Sequence, residues 1–353
     1  MKIAYYVSNH GYGHISRSFE LIRNLLSKPN TQVVLNTTRE KFLEGQTFPN
    51  LSIRAVNTDL GVAQNSSIQI DLEATEKSIR DFRDQFLDLL AQERRFLLDF
   101  KPDLILSDSS SFPFVLSNEL KIPSIFLGNF TWDFIYENYR NYSPIFVEYS
   151  KELAEQYSLA DLGLILPFAC PIKSVGNQEP IGLIGRSPRR ERNEIRKELN
   201  FSDSKTYILF SFGAYGLSDS DFDFSNLPPE YSIVISRLSG FRNERVIAFD
   251  DIYYPDLLSA CDLVITKPGY GILAESYLAG TPILYTERGD FAEYPYLVES
   301  MKDYHNAIYL SNTNLYNCNF KEAVESVLKK KSEKRKILKD GISEVLLKIF
   351  NLK

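Results

Sequence analysis

The chain is poor in several residues that usually announce chemistry. Its 353 residues include only three cysteines, three histidines, two methionines and one tryptophan. Cys170, Cys261 and Cys318 are an odd number without paired spacing. They read as buried thiols of a reducing compartment, and no zinc-binding pattern is present. No positive excess exists either: 40 Lys and Arg face 46 Asp and Glu, a net charge of −6. That balance argues against a dedicated nucleic-acid binder. No apolar run approaches the roughly 18 residues of a membrane span. The first residues lack the charged head and long apolar core of a secretory leader. The expectation is a cytoplasmic protein whose length suits two domains.

What is present is a repeated alternation. An apolar strand over 3–7, a Gly-containing turn over 9–13, a helix over 16–26 and a strand over 32–36 make one unit. The pattern recurs with a helix over 73–100, a strand over 104–106, a polar loop over 107–111, a helix over 114–120 and a strand over 124–127. Texture changes after Pro171, so the inter-domain linker is expected within 172–190. A second series follows: helix 191–199 and strands 207–212, 232–235, 263–266 and 282–285, with helices near 255–259 and over 272–279. The reading is α/β, with domains over 1–175 and 176–335, and a helix over 336–353 packing back on the body. Loops at the C-terminal ends of parallel strands are where ligands bind in such sheets.

Two of the three histidines, His10 and His14, fall in the loop after the first strand. Its small residues let backbone N–H groups approach a ligand, and the helix that follows favours an anion. Histidine suits general-base work near neutral pH; the structural alternative is that both rings merely bond backbone. Dinucleotide binding is disfavoured, because the G-x-G-x-x-G spacing and an acid ending the second strand are both missing. Asp108 ends another strand of the same half. It is a carboxylate that could orient His14, or the N-cap of the next helix.

In the second half, Lys267-Pro-Gly-Tyr-Gly-Ile-Leu-Ala-Glu275 is a strand-end glycine loop opening a helix. Glu275 there could accept ribose hydroxyls, or simply stabilise the helix dipole from the first turn. Ser211-Phe-Gly-Ala-Tyr-Gly216 is a second such loop, so the two could bracket a diphosphate. Asp219–Asp223 has D-x-D spacing, but Phe224 stands where an EF-hand needs glycine, and no metal is expected. No nucleophile elbow and no Walker sequence is present. The tail carries seven basic residues between Lys329 and Lys339 against one acid, Glu333, then an apolar helix over 342–350. A terminal helix packed on the body is the favoured reading, with peripheral contact at the inner face of a membrane left open.

These stretches resemble the GT-B glycosyltransferases, and nearly the whole chain is similar to the glycosyltransferase-like N-terminal half of plant L-arabinokinases. The similarity rests on His10-Gly-Tyr-Gly-His14, on 129–136, on Lys267-Pro-Gly-Tyr-Gly271 and on 288–295. It implies two facing Rossmann-like domains with a cleft between them, a nucleotide-sugar donor (UDP-linked by expectation) in the second and an acceptor in the first, and no cofactor. By that resemblance His14 is the general base and Asp108 its partner. Ser211, Gly213, Phe249, Lys267, Gly269, Tyr270, Gly271, Glu275, Asp290 and Glu293 fall on the donor side. His10, Arg17, Trp132 and Asp133 are acceptor-side candidates. Lys267 stands where many family members have a phosphate-contacting histidine, and Glu293 near a position often held by glutamine. The implied activity is inverting, metal-independent sugar transfer. A nucleotide-sugar hydrolase or epimerase on the same fold is the alternative, since Gly11–Arg17 also resembles sugar-nucleotide hydrolases. A non-catalytic nucleotide-sugar-binding module is the third reading. The sequence sets neither the acceptor nor the oligomeric state.

Overall fold

The computed structural model describes residues 1–39, 48–65, 69–213, 222–236, 243–330 and 336–351. Residues 214–216 of the second glycine loop, Asp219 and Asp221 of the acidic loop, and 331–335 of the basic tail lie outside them. The first half runs β1 (Lys2–Val7), α1 (Gly13–Leu26), β2 (Gln32–Asn36), β3 (Leu51–Arg54), α2 (Leu72–Phe100), β4 (Leu104–Asp108) and α3 (Phe112–Leu120). It continues through β5 (Ser124–Gly128), α4 (Trp132–Glu137), α5 (Pro144–Tyr157), β6 (Leu162–Ile165) and β7 (Gln178–Pro180). The second half runs α6 (Arg192–Glu198), β8 (Thr206–Ser211), β9 (Tyr231–Ile235), β10 (Val246–Ala248), α7 (Tyr254–Ala260), β11 (Leu263–Thr266) and α8 (Tyr270–Ala279). It ends with β12 (Ile283–Tyr285), α9 (Tyr294–Tyr304), β13 (Ala307–Tyr309), α10 (Asn312–Tyr316), α11 (Lys321–Lys329) and α12 (Gly341–Asn351).

Each half builds one parallel sheet, in the orders β3-β2-β1-β4-β5-β6-β7 and β10-β9-β8-β11-β12-β13. Central strands such as β1, β4 and β9 are buried along nearly their whole length. This is why they read as continuous apolar runs rather than alternating ones. In both sheets the strand order reverses at a central pair. Val7 is the register partner of Asp108 across β1 and β4, and Ser211 is that of Thr266 across β8 and β11. Such reversal points open a crevice at the strands' C-terminal ends.

Beyond the boundary expected at 175/176, the first sheet takes in Gln178–Pro180 as an edge strand parallel to β6. Three residues, half-buried or exposed and ending in proline, carry no strand period, and proline is tolerated at an edge. The terminal helix α12 buries Val345 and Ile349 in the cluster that also holds β1, α1 and β11 side chains. Gly182 makes this docking close. Its N–H donates to Glu344 Oε2 at 2.6 Å, and a Cβ there would stand 2.1 Å from the Lys339 carbonyl oxygen. Among the described residues no helix is long and apolar enough to cross a membrane.

Candidate active site

Helix α1 begins at Gly13, three residues earlier than the sequence pattern indicates, because the loop turns through Gly11 at φ +71°. His14, Arg17 and Ser18 therefore occupy helical positions i, i+3 and i+4, which share a face. That face meets Asp108, which is fully buried at the end of β4. His14 Nδ1 lies 2.8 Å from Asp108 Oδ1, Arg17 reaches both carboxylate oxygens at 2.6 and 2.7 Å, and the Ser18 hydroxyl donates at 2.7 Å. The helix after β4 starts at Phe112 behind Ser111, so Asp108 is not its N-cap. Burial alone would raise its pKa, but the Arg17 guanidinium and the His14 ring hold it well below the usual carboxylate range. An ionised carboxylate can only accept, so a neutral His14 that bonds it does so through an Nδ1 proton and leaves Nε2 unprotonated. Arg17 Nη2 lies 3.1 Å from the same Nδ1.

Arg17, an acceptor-side candidate by resemblance, is 2% exposed and bonds Asp108 through two nitrogens. Trp132 is likewise buried, its indole N–H donating to Asp59 Oδ2 at 2.9 Å. Asp59 also accepts from the Asn9 backbone at 3.1 Å, so this acid clamps the histidine loop. Asp133 accepts from the Ser174 hydroxyl at 3.1 Å. His10 is half-buried, stacked on Phe291 at 5.8 Å and edge-on to Trp132 at 5.2 Å. Gly61, at φ +68°, makes its room, since a Cβ there would stand 2.4 Å from His10 Nδ1. Burial foremost, with His14, Arg288 and Lys267 nearby, pushes the His10 pKa well below the ordinary imidazole value.

The second sheet brings its glycine loop to the same place. Helix α8 starts at Tyr270, not Ile272, because Gly271 belongs to the first turn and lies against α1. A Cβ on Gly271 would stand 3.3 Å from Gly13 Cα. The N-terminal turns of α1 and α8 thus face each other. Neither has a side-chain cap or a first-turn acid, so their N–H groups are left for a ligand. Glu275 accordingly falls in the second turn. It is 4% exposed, and Arg186 Nε donates to its Oε1 at 2.6 Å. Lys267 sits beside Gly213, whose φ is +73°. Burial and the Arg288 charge lower the Lys267 pKa to about 7. Tyr270 lays its ring over Arg17, 4.7 Å from guanidinium carbon to centroid, and Ser211 exchanges a 2.6 Å hydrogen bond with Tyr254. The Phe249 N–H is spent on Ile235 O at 3.0 Å, so it extends the sheet.

Glu293 and Asp290, both on the donor side by the resemblance, separate. Asp290 is exposed, bonded to Asn138 Nδ2 at 3.2 Å. Glu293 is 2% exposed, and its oxygens accept from Arg288 Nη1 at 2.6 Å and Asn129 Nδ2 at 2.7 Å. Asn129 Oδ1 accepts in turn from Arg17 Nη1 at 2.8 Å. Asn129, Arg288, Asp59 and Arg186 are the polar residues the sequence reading did not single out. The first two lie in the 129–136 and 288–295 stretches, which was their available signal. Among the described residues no cluster of three or more His, Cys, Asp or Glu could hold a metal ion.

No family model matches the sequence. An L-arabinokinase of Arabidopsis thaliana is 28% identical over 309 residues, 85% of this chain but 30% of that protein, so the chain spans under a third of its length. Among solved structures, a spinosyn rhamnosyltransferase superposes with a TM-score of 0.64 at 14% identity, covering 99% of this chain and 95% of the other. A UDP-glucosyltransferase from Polygonum tinctorium capable of glucosylating indoxyl gives 0.64 at 13% identity, covering 100% and 99%. The glycotransferase of kitacinnamycin gives 0.61 at 18% identity, covering 93% and 91%. At these identities the likeness establishes architecture, and this chain has the two-sheet α/β fold of the GT-B glycosyltransferases.

Proposed function

We propose that the chain is an inverting, metal-independent glycosyltransferase, moving a sugar from a nucleotide-sugar donor, UDP-linked, to an acceptor hydroxyl. The first sheet and its loops form the acceptor half and the second the donor half. The observation that carries the reading is the 2.8 Å contact of His14 Nδ1 with Asp108 at the sheet edge facing the N-terminal turn of α8. Asp108 fixes the tautomer and stabilises the imidazolium, while His14 Nε2 removes the acceptor proton. The acceptor oxygen bonds to the anomeric carbon as the bond to the diphosphate breaks, a single displacement that inverts configuration.

Negative charge grows on the departing diphosphate, so donors placed there accelerate the step. The α8 N–H groups, Gly213, Gly269, Gly271, Lys267 and Arg288 supply them. Arg288 Nε is buried without a partner among the described residues, which leaves a donor for a phosphate oxygen. Glu275, steadied by Arg186, faces the ribose, and the backbone at Phe249 and Ser211 flanks the base side.

The test is to incubate the purified chain with UDP-sugars, with and without a panel of hydroxyl acceptors, and follow the anomeric signals by NMR. A glycoside of inverted configuration is the expected product. Free sugar released without acceptor would make the chain a hydrolase. Binding without turnover on any acceptor would make it a binding module.

A further inference from the structure

Phe291, stacked on His10, also lines a groove of about 580 Å³ that the reading above does not use. One wall comes from α4 and the residue after it, with Phe134, Glu137 and Asn138. The other comes from the loop after β12 and the start of α9, with Asp290, Tyr294 and Tyr296. Phe134 and Tyr296 meet edge to face at 5.6 Å, and Asn138 bonds Asp290 at 3.2 Å, so the walls join at their base. The Tyr139 hydroxyl donates to the Asp290 carbonyl at 2.8 Å and holds that loop. Phe134, Tyr294 and Tyr296 are only half-buried, which keeps ring surface available.

We infer that this groove binds a neutral carbohydrate. Its lining excludes other occupants. Among the described residues lining it, two carboxylates and no Lys, Arg or His are found. Glu137 is already paired with Arg140 at 2.8 Å, so Asp290 is the carboxylate that a nucleotide diphosphate or an acidic sugar would meet there. A flat apolar aglycone would cover Glu137, Asn138 and Asp290 without replacing their water, which costs free energy for each polar group left unpaired. A sugar ring offers C–H faces to the aromatic rings and hydroxyls to the carboxylates and the amide. Apolar walls with a few placed polar groups are the usual make-up of a small-molecule site. Phe291, which lines the groove, has its ring 5.8 Å from that of His10 and nearly parallel to it. The binding does not rest on the transferase reading.

The experiment is saturation-transfer NMR on the full chain without donor. The probes are neutral pentoses, hexoses and their disaccharides at tens of millimolar, with glucuronic acid and 4-methylumbelliferone as controls. At least one neutral sugar should bind and neither control should compete with it. Tyr296→Ala and Asp290→Asn should each weaken that binding about fivefold or more while Tm stays near wild type, and Tyr296→Phe should restore it. Failure of every neutral sugar, equal binding by the variants, or displacement by a control would overturn the inference. A chain that binds sugar here yet never transfers would keep the groove and sink the transferase reading. A chain that transfers but whose sugar binding ignores both substitutions would do the reverse.

Discussion

Asn129 and Glu293 stand 164 residues apart in the chain, and the Asn129 amide donates to the Glu293 carboxylate at 2.7 Å. The bond ties the end of β5 to the loop before α9. Through Arg17 it continues to Asp108 and His14, so the site on one sheet is braced by a residue that follows the other. Glu293→Ala strands both the Asn129 amide and the Arg288 guanidinium in a buried place. Removing one partner of a buried charge pair costs about 3–5 kcal/mol. Denaturant unfolding should show a loss of about 3 kcal/mol for Glu293→Ala and about 1–2 kcal/mol for Asn129→Ala. The double variant should lose less than the sum, because one bond is counted in both. Fully additive losses would refute the coupling.

His14 and Asp108 should fail in different ways. His14→Ala removes the proposed base and should cut transfer about 10²–10⁴-fold with little change in Tm, since Arg17 and Ser18 still hold Asp108. Asp108→Asn deprives the buried Arg17 of its counter-charge, so it should lower Tm as well as rate. Initial rates paired with thermal melts separate the two. Wild-type turnover by His14→Ala would end the general-base assignment.

Why some of this was legible and some not follows from how far each contact reaches along the chain. The sheets could be read because buried parallel strands print as apolar runs, and Asp108 because it ends one of them. His14, Arg17 and Ser18 were spaced for one helix face, but the glycines before them suggested a loop, and the helix start was set too late. The same error recurred at Gly271, which is helical and small because Gly13 lies against it. The pairing of Asn129 with Glu293, or of Arg186 with Glu275, depends on how two sheets dock. No local pattern encodes that. The edge strand Gln178–Pro180 was missed for the opposite reason: it is set by its neighbour β6 and has no periodicity of its own.

Gly182 should prove intolerant of any side chain. A Cβ there would overlap the Lys339 carbonyl and the Gly341 backbone, neither of which is a flexible side-chain end. Overpacking of this kind typically costs about 1–3 kcal/mol. Gly182→Ala should therefore free α12 from Val345 and Ile349 contact, seen as faster proteolysis near 336–341 before the body is cut. A variant cut no faster than wild type would mean that the tail is not held at this point.

On the proposed donor role, Lys267 should make donor affinity depend on pH. Its pKa of about 7 lies below the 10.5 of a free lysine because burial and Arg288 disfavour the charged form. A bound diphosphate reverses that preference, so binding takes up a proton wherever the unliganded amine is neutral. Above roughly pH 7.5 the terminal phosphate, with a second pKa near 6, is already ionised and contributes no slope of its own. Affinity for UDP should then fall about tenfold for each pH unit between about 7.5 and 9, the limit for one proton taken up. Calorimetry in buffers of different ionisation enthalpy should count that proton directly. Lys267→Arg stays charged throughout and should flatten the slope. The unliganded chain should respond with the opposite sign. Between about 7 and 10.5 the unfolded state holds the extra proton, so this group's contribution to folding stability rises with pH. A wild-type affinity for UDP that does not change across that window would show that Lys267 does not meet the diphosphate.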